Sequence, residues 1–305
     1  MSWYKKAQVN SPMPKRLLGK TGYKVSTFSL GGQGALENQG GKKNCINIIR
    51  RAYELGVNYF DTSPIYGPSE NYYGEALKDI REDIFLASKT DKRDKSGSLK
   101  EIEKSLKRLN TDYLDLWQIH HLDSLKEVNQ VAGKNGALAA LIEMQEQGVV
   151  KWLGITGHED PKILTEIMNR YDFDTVLCPV NACDMNMDKP FISTVIKKAN
   201  EKNMGIIGMK IFSQGYIFHP DGLKNISDPI LYSLSQPIST IIVGCDSIKQ
   251  LEENISTAKS FSSLNKKEQK EIEEKTKSYK KRACFFRKEY GGYDSKNELN
   301  PPYKI

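Results

Sequence analysis

The chain has 305 residues and a formal net charge of +7, a length that allows two ordinary domains or one large barrel of about 250 residues with extensions. The positive balance would suit an anionic ligand or cofactor phosphates, but a solvated lysine-rich surface explains it as well, and no basic stripe interleaved with aromatics marks a nucleic-acid site. The cysteines, Cys45, Cys178, Cys183, Cys245 and Cys284, have no CxxC spacing, which argues against a disulfide framework or a zinc or iron–sulfur site; with no long apolar run for a membrane span or secretory signal, a cytoplasmic protein with reduced thiols is expected.

Residues 1–13 read as an extension. Lys15–Lys24, which holds Gly19 and Thr21-Gly22, reads as a small hairpin or loop able to cover the bottom of a barrel. Short apolar runs rich in β-branched residues follow at Val25–Gly31, Val57–Asp61, Ile84–Ser88, Tyr113–His120, Trp152–Thr156, Thr175–Val180, Gly205–Met209 and Thr240–Gly244. Near-continuous apolarity over so few residues fits strands buried on both faces of a parallel sheet.

Between the runs lie segments of helical periodicity. Asn44–Leu55 and Ser98–Leu109 space their apolar residues for a helix, and Ala137–Gln147 ends at Gly148, a C-cap. Pro161–Asn169 follows Asp160, an N-cap with proline at the first position. Phe191–Lys202 and Ile248–Lys259 complete the series, whereas Asp221–Ser235 supports only short helices. Lys266–Arg282 is a charged helix, and residues 283–305 form a Gly/Pro/Tyr-rich tail. Phe285, Phe286, Tyr290 and Tyr293 in that tail would either line the mouth of the barrel or dock for stability.

Strands alternating with helices at this spacing mean repeated βαβ units. Eight of them predict an α/β fold, a closed (β/α)8 TIM barrel with an N-terminal hairpin and a C-terminal helix plus tail, built as a single domain over residues 14–282. An open, doubly wound sheet is the alternative on pattern alone.

In such a barrel, ligands bind at the C-terminal ends of the strands. Asp61 closes the second run, Lys89 follows the third and His120 closes the fourth. Each is about one βα unit from the next, so the three should converge. Tyr66 lies in the short loop Thr62-Ser63-Pro64-Ile65-Tyr66-Gly67 and can return over the strand ends. Each residue taken singly has an ordinary structural explanation, such as a cap, a solvated lysine or a packed aromatic. Together they make chemical sense. An ammonium beside a phenol lowers its pKa from about 10, a carboxylate holds that ammonium, and an imidazole orients a substrate oxygen. The combination suits protonation of a carbonyl oxygen while a cofactor delivers hydride, which no side chain can supply.

Four segments, Pro14–Gln33 (PKRLLGKTGYKVSTFSLGGQ), Val57–Gly67 (VNYFDTSPIYG), Tyr113–His120 (YLDLWQIH) and Val243–Asn254 (VGCDSIKQLEEN), resemble, in order, signatures of the aldo-keto reductase superfamily. The resemblance implies that Tyr66 is the proton donor, that Lys89 and Asp61 tune it, and that His120 orients the carbonyl of a small-molecule substrate. It also implies an extended NADPH or NADH held without a Rossmann fingerprint. Gly244, Ser247, Gln250, Glu253 and Asn254 would grip the adenosine phosphates, with the helix start at Ser247 favouring an anion. Asp246 stands where many relatives carry arginine, so NADH becomes possible beside NADPH. Met209 replaces an aromatic that stacks on the nicotinamide, and Lys210 is placed to meet the pyrophosphate. Thr156-Gly157-His158 replaces a Ser-Asn pair, with Thr156 keeping a hydroxyl, and Asn181 matches an asparagine near the nicotinamide. A cofactor-binding regulatory module, such as a channel subunit, is the competing expectation. No metal site is expected, since the four histidines, His120, His121, His158 and His219, form no HxH pair.

Overall fold

A computed structural model of the protein describes residues 11–37 and 41–292. Its centre is a closed barrel of eight parallel strands: β3 (Phe28–Gly34), β4 (Tyr59–Asp61), β5 (Phe85–Thr90), β6 (Leu114–Ile119), β7 (Val150–Thr156), β8 (Thr175–Pro179), β9 (Gly205–Met209) and β10 (Thr240–Cys245), with β10 pairing back to β3. This is the expected (β/α)8 architecture, and the open sheet is excluded. The helices are α1 (Lys42–Glu54), α2 (Ser69–Leu77), α3 (Lys95–Leu109), α4 (Leu125–Val131), α5 (Ala137–Glu146), α6 (Pro161–Arg170), α7 (Lys197–Glu201), α8 (Ser227–Leu234), α9 (Ile248–Lys259), α10 (Lys266–Thr276) and α11 (Lys280–Ala283). No helix among the described residues is long and apolar enough to cross a membrane.

The expected hairpin is present as β1 (Lys15–Leu17) and β2 (Lys24–Ser26), paired antiparallel. Leu18 and Val25 pack with Tyr59, Phe85, Leu116, Leu177 and Ile207 inside the barrel. Gly19 adopts φ +51° and sits so close to the start of β9 that a Cβ there would lie 2.2 Å from the Gly205 nitrogen. Only glycine tolerates both conditions. The Lys20 N–H donates to the Asn203 carbonyl at 2.7 Å. The hairpin therefore plugs the N-terminal end of the barrel and leaves the other end for ligands.

The structure departs from the sequence reading at five places. The single run Val25–Gly31 divides at Thr27 into the end of β2 and the start of β3. The Thr27 N–H is taken by the Pro14 carbonyl at 2.9 Å, so the chain changes partners where its apolarity does not change. The helix α2 went unseen because its inner face carries charge. Glu70 is buried, accepts from Ser88 Oγ at 2.7 Å and from Arg108 Nε at 2.6 Å, and so breaks the apolar period. The short α4 went unseen as well. Phe191–Lys202 begins as a π turn at Ile192–Ile196 before continuing as α7, and the expected helix Lys266–Arg282 is broken at Lys277–Tyr279. Both expected caps are present: Asp160 accepts from the Lys162 N–H at 2.9 Å with proline following, and Gly148 takes φ +74° after α5.

The C-terminal segment docks over the mouth side of the barrel. Ala283, Cys284, Phe285 and Phe286 are buried with Cys183, Tyr216 and Phe218 in a cluster separate from the main core. Arg287 is buried too, donating to Asp184 Oδ1 at 3.3 Å and to the Lys189 carbonyl at 2.9 Å. The Lys288 N–H reaches the Glu159 carbonyl at 3.2 Å. Of the two expectations for the tail aromatics, docking is what Phe285 and Phe286 show: both are buried, and the Phe286 ring meets His158 edge-on at 6.3 Å. Tyr293 lies outside the described residues.

Candidate active site

Asp61, Lys89 and His120 stand at the C-terminal ends of three consecutive strands, β4, β5 and β6. Inward-facing positions recur every second residue along a strand, so Lys89 stands opposite Gln118 in register, while Asp61, paired with Ala87, lies one inward step before Lys89 and is met by its side chain. Tyr66 joins them because its loop folds back in tight turns. The Tyr66 N–H donates to the Ser63 carbonyl at 3.1 Å, the Ser69 N–H to the Tyr66 carbonyl at 3.0 Å, and Gly67 takes φ +48°.

Lys89 Nζ is hydrogen-bonded to Asp61 Oδ1 and donates to the Thr62 carbonyl at 2.7 Å. The same nitrogen lies 4.9 Å from the centroid of the Tyr66 ring. Tyr66 OH is 3.3 Å from His120 Nε2, with the two rings edge to face. On the other side of the imidazole, Nδ1 is 3.3 Å from Ser63 Oγ and 4.0 Å from Asp91 Oδ1. All four sequence-nominated side chains thus meet in one place.

Burial sets the charge states. It raises the Asp61 carboxyl above its ordinary range, against the Lys89 charge and the Gln118 hydrogen bond. It lowers the Lys89 ammonium, against Asp61. Each partner opposes the other's neutralisation, the balance expected of a buried pair. Burial also holds His120 well below the usual imidazole value, helped by the positive charges of Lys89 and its neighbours, so it is neutral at physiological pH.

Gln118 was passed over in the sequence. Its Nε2 donates to Asp61 Oδ2 at 2.9 Å from a fully buried position, supplying the second carboxylate oxygen with a partner. Ser63, also fully buried, was passed over too. Neither residue type is rare enough to be singled out, and only the strand register of Gln118 could have flagged it.

Beyond His120 the mouth continues as a row of rings. His121 lies 4.9 Å from His120 and 5.2 Å from His158. Burial pulls His121 down, but the Asp123 carboxylate at 2.9 Å from its Nδ1 outweighs that and holds the imidazole above its ordinary value. Burial keeps His158 well below its own. Asp123, His158 and Glu159 bring ligand atoms within 4.8 Å of one another, from two loops that the sequence does not place together.

The candidate cofactor residues occupy the rest of the mouth. Thr156 ends β7 with its hydroxyl buried and without a hydrogen-bond partner among the described residues, an orphan that a bound amide or carbonyl would satisfy. Asn181 Oδ1 accepts from the Asp184 N–H at 3.1 Å and its Nδ2 donates to the Lys210 carbonyl at 3.0 Å. One lone pair and one N–H of that amide remain. Met209 is half-buried at the end of β9, and Lys210 follows with φ +59°. Burial lowers the Lys210 ammonium to about 7, against the attraction of Glu37. At the end of β10, Gly244 backs so closely on β3 that a Cβ would lie 2.7 Å from the Gln33 carbonyl oxygen. Asp246 is exposed, and its N–H donates to Gln250 Oε1 at 2.8 Å. Ser247 caps α9 by accepting from the Gln250 N–H at 3.2 Å. Glu253 is exposed and 3.9 Å from Lys249 Nζ. Asn254 is buried, with Nδ2 3.6 Å from Cys245 Sγ.

Comparison with known proteins bears on the family and the fold. The model of the Aldo/keto reductase family matches residues 27–224. The chain is 27% identical over 288 residues to L-galactose dehydrogenase of Arabidopsis thaliana, covering 82% of this chain and 89% of that one. Among solved structures, the holo form of an aldo-keto reductase from Bacillus halodurans superposes with a TM-score of 0.72 at 23% identity, covering 87% of this chain and 97% of that one. An aldo-keto reductase from Klebsiella pneumoniae in complex with NADPH superposes with a TM-score of 0.71 at 16% identity, covering 88% and 95%.

Proposed function

Because the chain belongs to the aldo/keto reductase family, a family of nicotinamide-dependent oxidoreductases that reduce carbonyls, we propose that it reduces an aldehyde or ketone to the alcohol with Tyr66 as proton donor. One observation carries this reading: Tyr66 OH and His120 Nε2 lie 3.3 Å apart at the strand ends, so a single carbonyl oxygen can contact both. His120, neutral, donates a hydrogen bond to that oxygen and orients it. Tyr66 passes its phenolic proton to the same oxygen as negative charge develops there. Lys89, over the Tyr66 ring, stabilises the phenolate left behind. Asp61 holds Lys89 in place, and Gln118 holds Asp61.

The nicotinamide cofactor supplies the hydride when bound. Thr156 and Asn181 would hold its carboxamide, Met209 would pack on the ring, and Lys210 would meet the pyrophosphate. Gly244, Ser247 and Gln250 would receive the adenosine end at the start of α9. We take NADPH as the cofactor, the ligand named for the Klebsiella pneumoniae relative. NADH is a competent alternative, since the exposed Asp246 and Glu253 carboxylates disfavour a 2′-phosphate and Asp246 suits a ribose hydroxyl.

The test is the loss of reduced-nicotinamide absorbance with NADPH and NADH in parallel, using a reactive aromatic aldehyde. Turnover is expected, with kcat of Tyr66→Phe lower by at least about 100-fold and cofactor affinity retained. Cofactor binding without turnover across a broad carbonyl panel would replace this reading with that of a cofactor-binding module.

A further inference from the structure

Ser63 precedes Pro64 in the loop that carries Tyr66, and its side chain has no access to solvent. A serine hydroxyl brings one proton and two lone pairs. One lone pair faces the Ile65 N–H at 3.5 Å. The buried proton needs an acceptor, and among the described residues the only one in reach of Oγ is His120 Nδ1, at 3.3 Å. The neighbouring hydroxyl does not compete, because Thr62 Oγ1 is engaged with Ser69 Oγ at 2.9 Å.

We propose that Ser63 is a positioning residue that fixes the tautomer of His120, donating its proton to Nδ1 so that the ring carries its own proton on Nε2. The consequence falls on Tyr66, 3.3 Å from that Nε2. If Nε2 were bare, it would accept the Tyr66 hydroxyl proton and draw it away from the substrate. With Nε2 protonated, it cannot accept. His120 then donates to the carbonyl oxygen, and the Tyr66 proton goes to the same oxygen. Asp91 opposes this choice, since its carboxylate, 4.0 Å from Nδ1, favours a proton there. Ser63 stands closer and is better buried. The cationic or potentially cationic groups facing the ring, Lys89, His121, His158 and Arg93, disfavour an imidazolium, so the choice lies between two neutral forms.

The inference rests on the reading of His120 as the group that orients the carbonyl, but its first test needs no turnover. In protein labelled with 15N-histidine, long-range proton–nitrogen spectra report which ring nitrogen is protonated, and His120→Asn assigns the signal. The wild type should show a bare, imine-type Nδ1 and a protonated Nε2. Ser63→Ala should shift His120 toward the Nδ1–H form, with Asp91 the remaining neighbour. In the same variant kcat should fall roughly 10- to 100-fold with cofactor affinity unchanged, and Ser63→Thr should restore both the spectrum and most of the rate. A protonated Nδ1 in the wild type overturns the proposal, as does an Ser63→Ala protein with wild-type spectrum and kcat. If the tautomer is as proposed while Tyr66→Phe and His120→Asn both keep full turnover, the assignment of Tyr66 as proton donor and His120 as orienting group fails and the hold of Ser63 on His120 stands.

Discussion

Gln118 shows how a neutral side chain completes a charged pair. Asp61 gives one oxygen to Lys89 and the other to the Gln118 amide, so the carboxylate cannot rotate away from the lysine. Gln118→Leu keeps the bulk and removes the donor, leaving Asp61 Oδ2 buried and unsatisfied. The expected cost is about 1–3 kcal/mol of stability, read from the urea midpoint, with kcat reduced through a less well held Lys89. Asp61, Lys89 and His120 were legible in the sequence because reactive side chains stood at strand ends one structural unit apart. Gln118 and Ser63 were not, because an amide or a hydroxyl carries no signal until its partner is known. The orphaned hydroxyl of Thr156 became visible only when the neighbours that fail to reach it were in place.

Among the elements, the apolar runs located all eight barrel strands, because strands buried on both faces have little else in them. Periodicity failed where an element buries charge, as at Glu70 in α2, and where the chain changes partner inside one apolar run, as at Thr27. The C-terminal segment was unreadable for a third reason: its anchors are long-range. Arg287 and Asp184 are both nearly inaccessible, and the arginine also stacks over the Phe191 ring at 4.8 Å. Removing one partner of a buried pair strands the other. Arg287→Met should therefore lower stability by about 3–5 kcal/mol at pH 8 in urea unfolding. Burial already raises the Asp184 carboxyl to about 7, against Arg287, so in the variant the acid is neutral at lower pH. The loss should be visibly smaller at about pH 5.

For the molecule as a whole, closure joins distant parts of the chain. Ser29 Oγ and Thr240 Oγ1 meet at 2.6 Å where β3 pairs with β10. The mouth so formed is dry enough to hold His120 and His158 well below the ordinary imidazole range. In the unfolded chain both bind protons as pH falls through about 6.5, while the folded protein resists. The unfolded state thus holds more protons in the window below about 6.5. Stability rises with pH across that window and is lost as pH falls through it. His158→Gln should flatten the dependence of the thermal midpoint between about pH 6.5 and 5; an unchanged slope would mean that His158 is not held neutral.

The plug and the docked segment sit at opposite ends of the barrel. Residues 11–26 close the N-terminal face, whereas residues 283–292 pack beside the mouth, against Glu159 and Asp184. The two ends of the described chain are therefore not equivalent as handles. A fusion partner or solid support attached where the described chain begins, at residue 11, would hang from the closed face and leave the mouth unobstructed. The same attachment through the C-terminal side pulls on the segment that ties down the loops of the mouth.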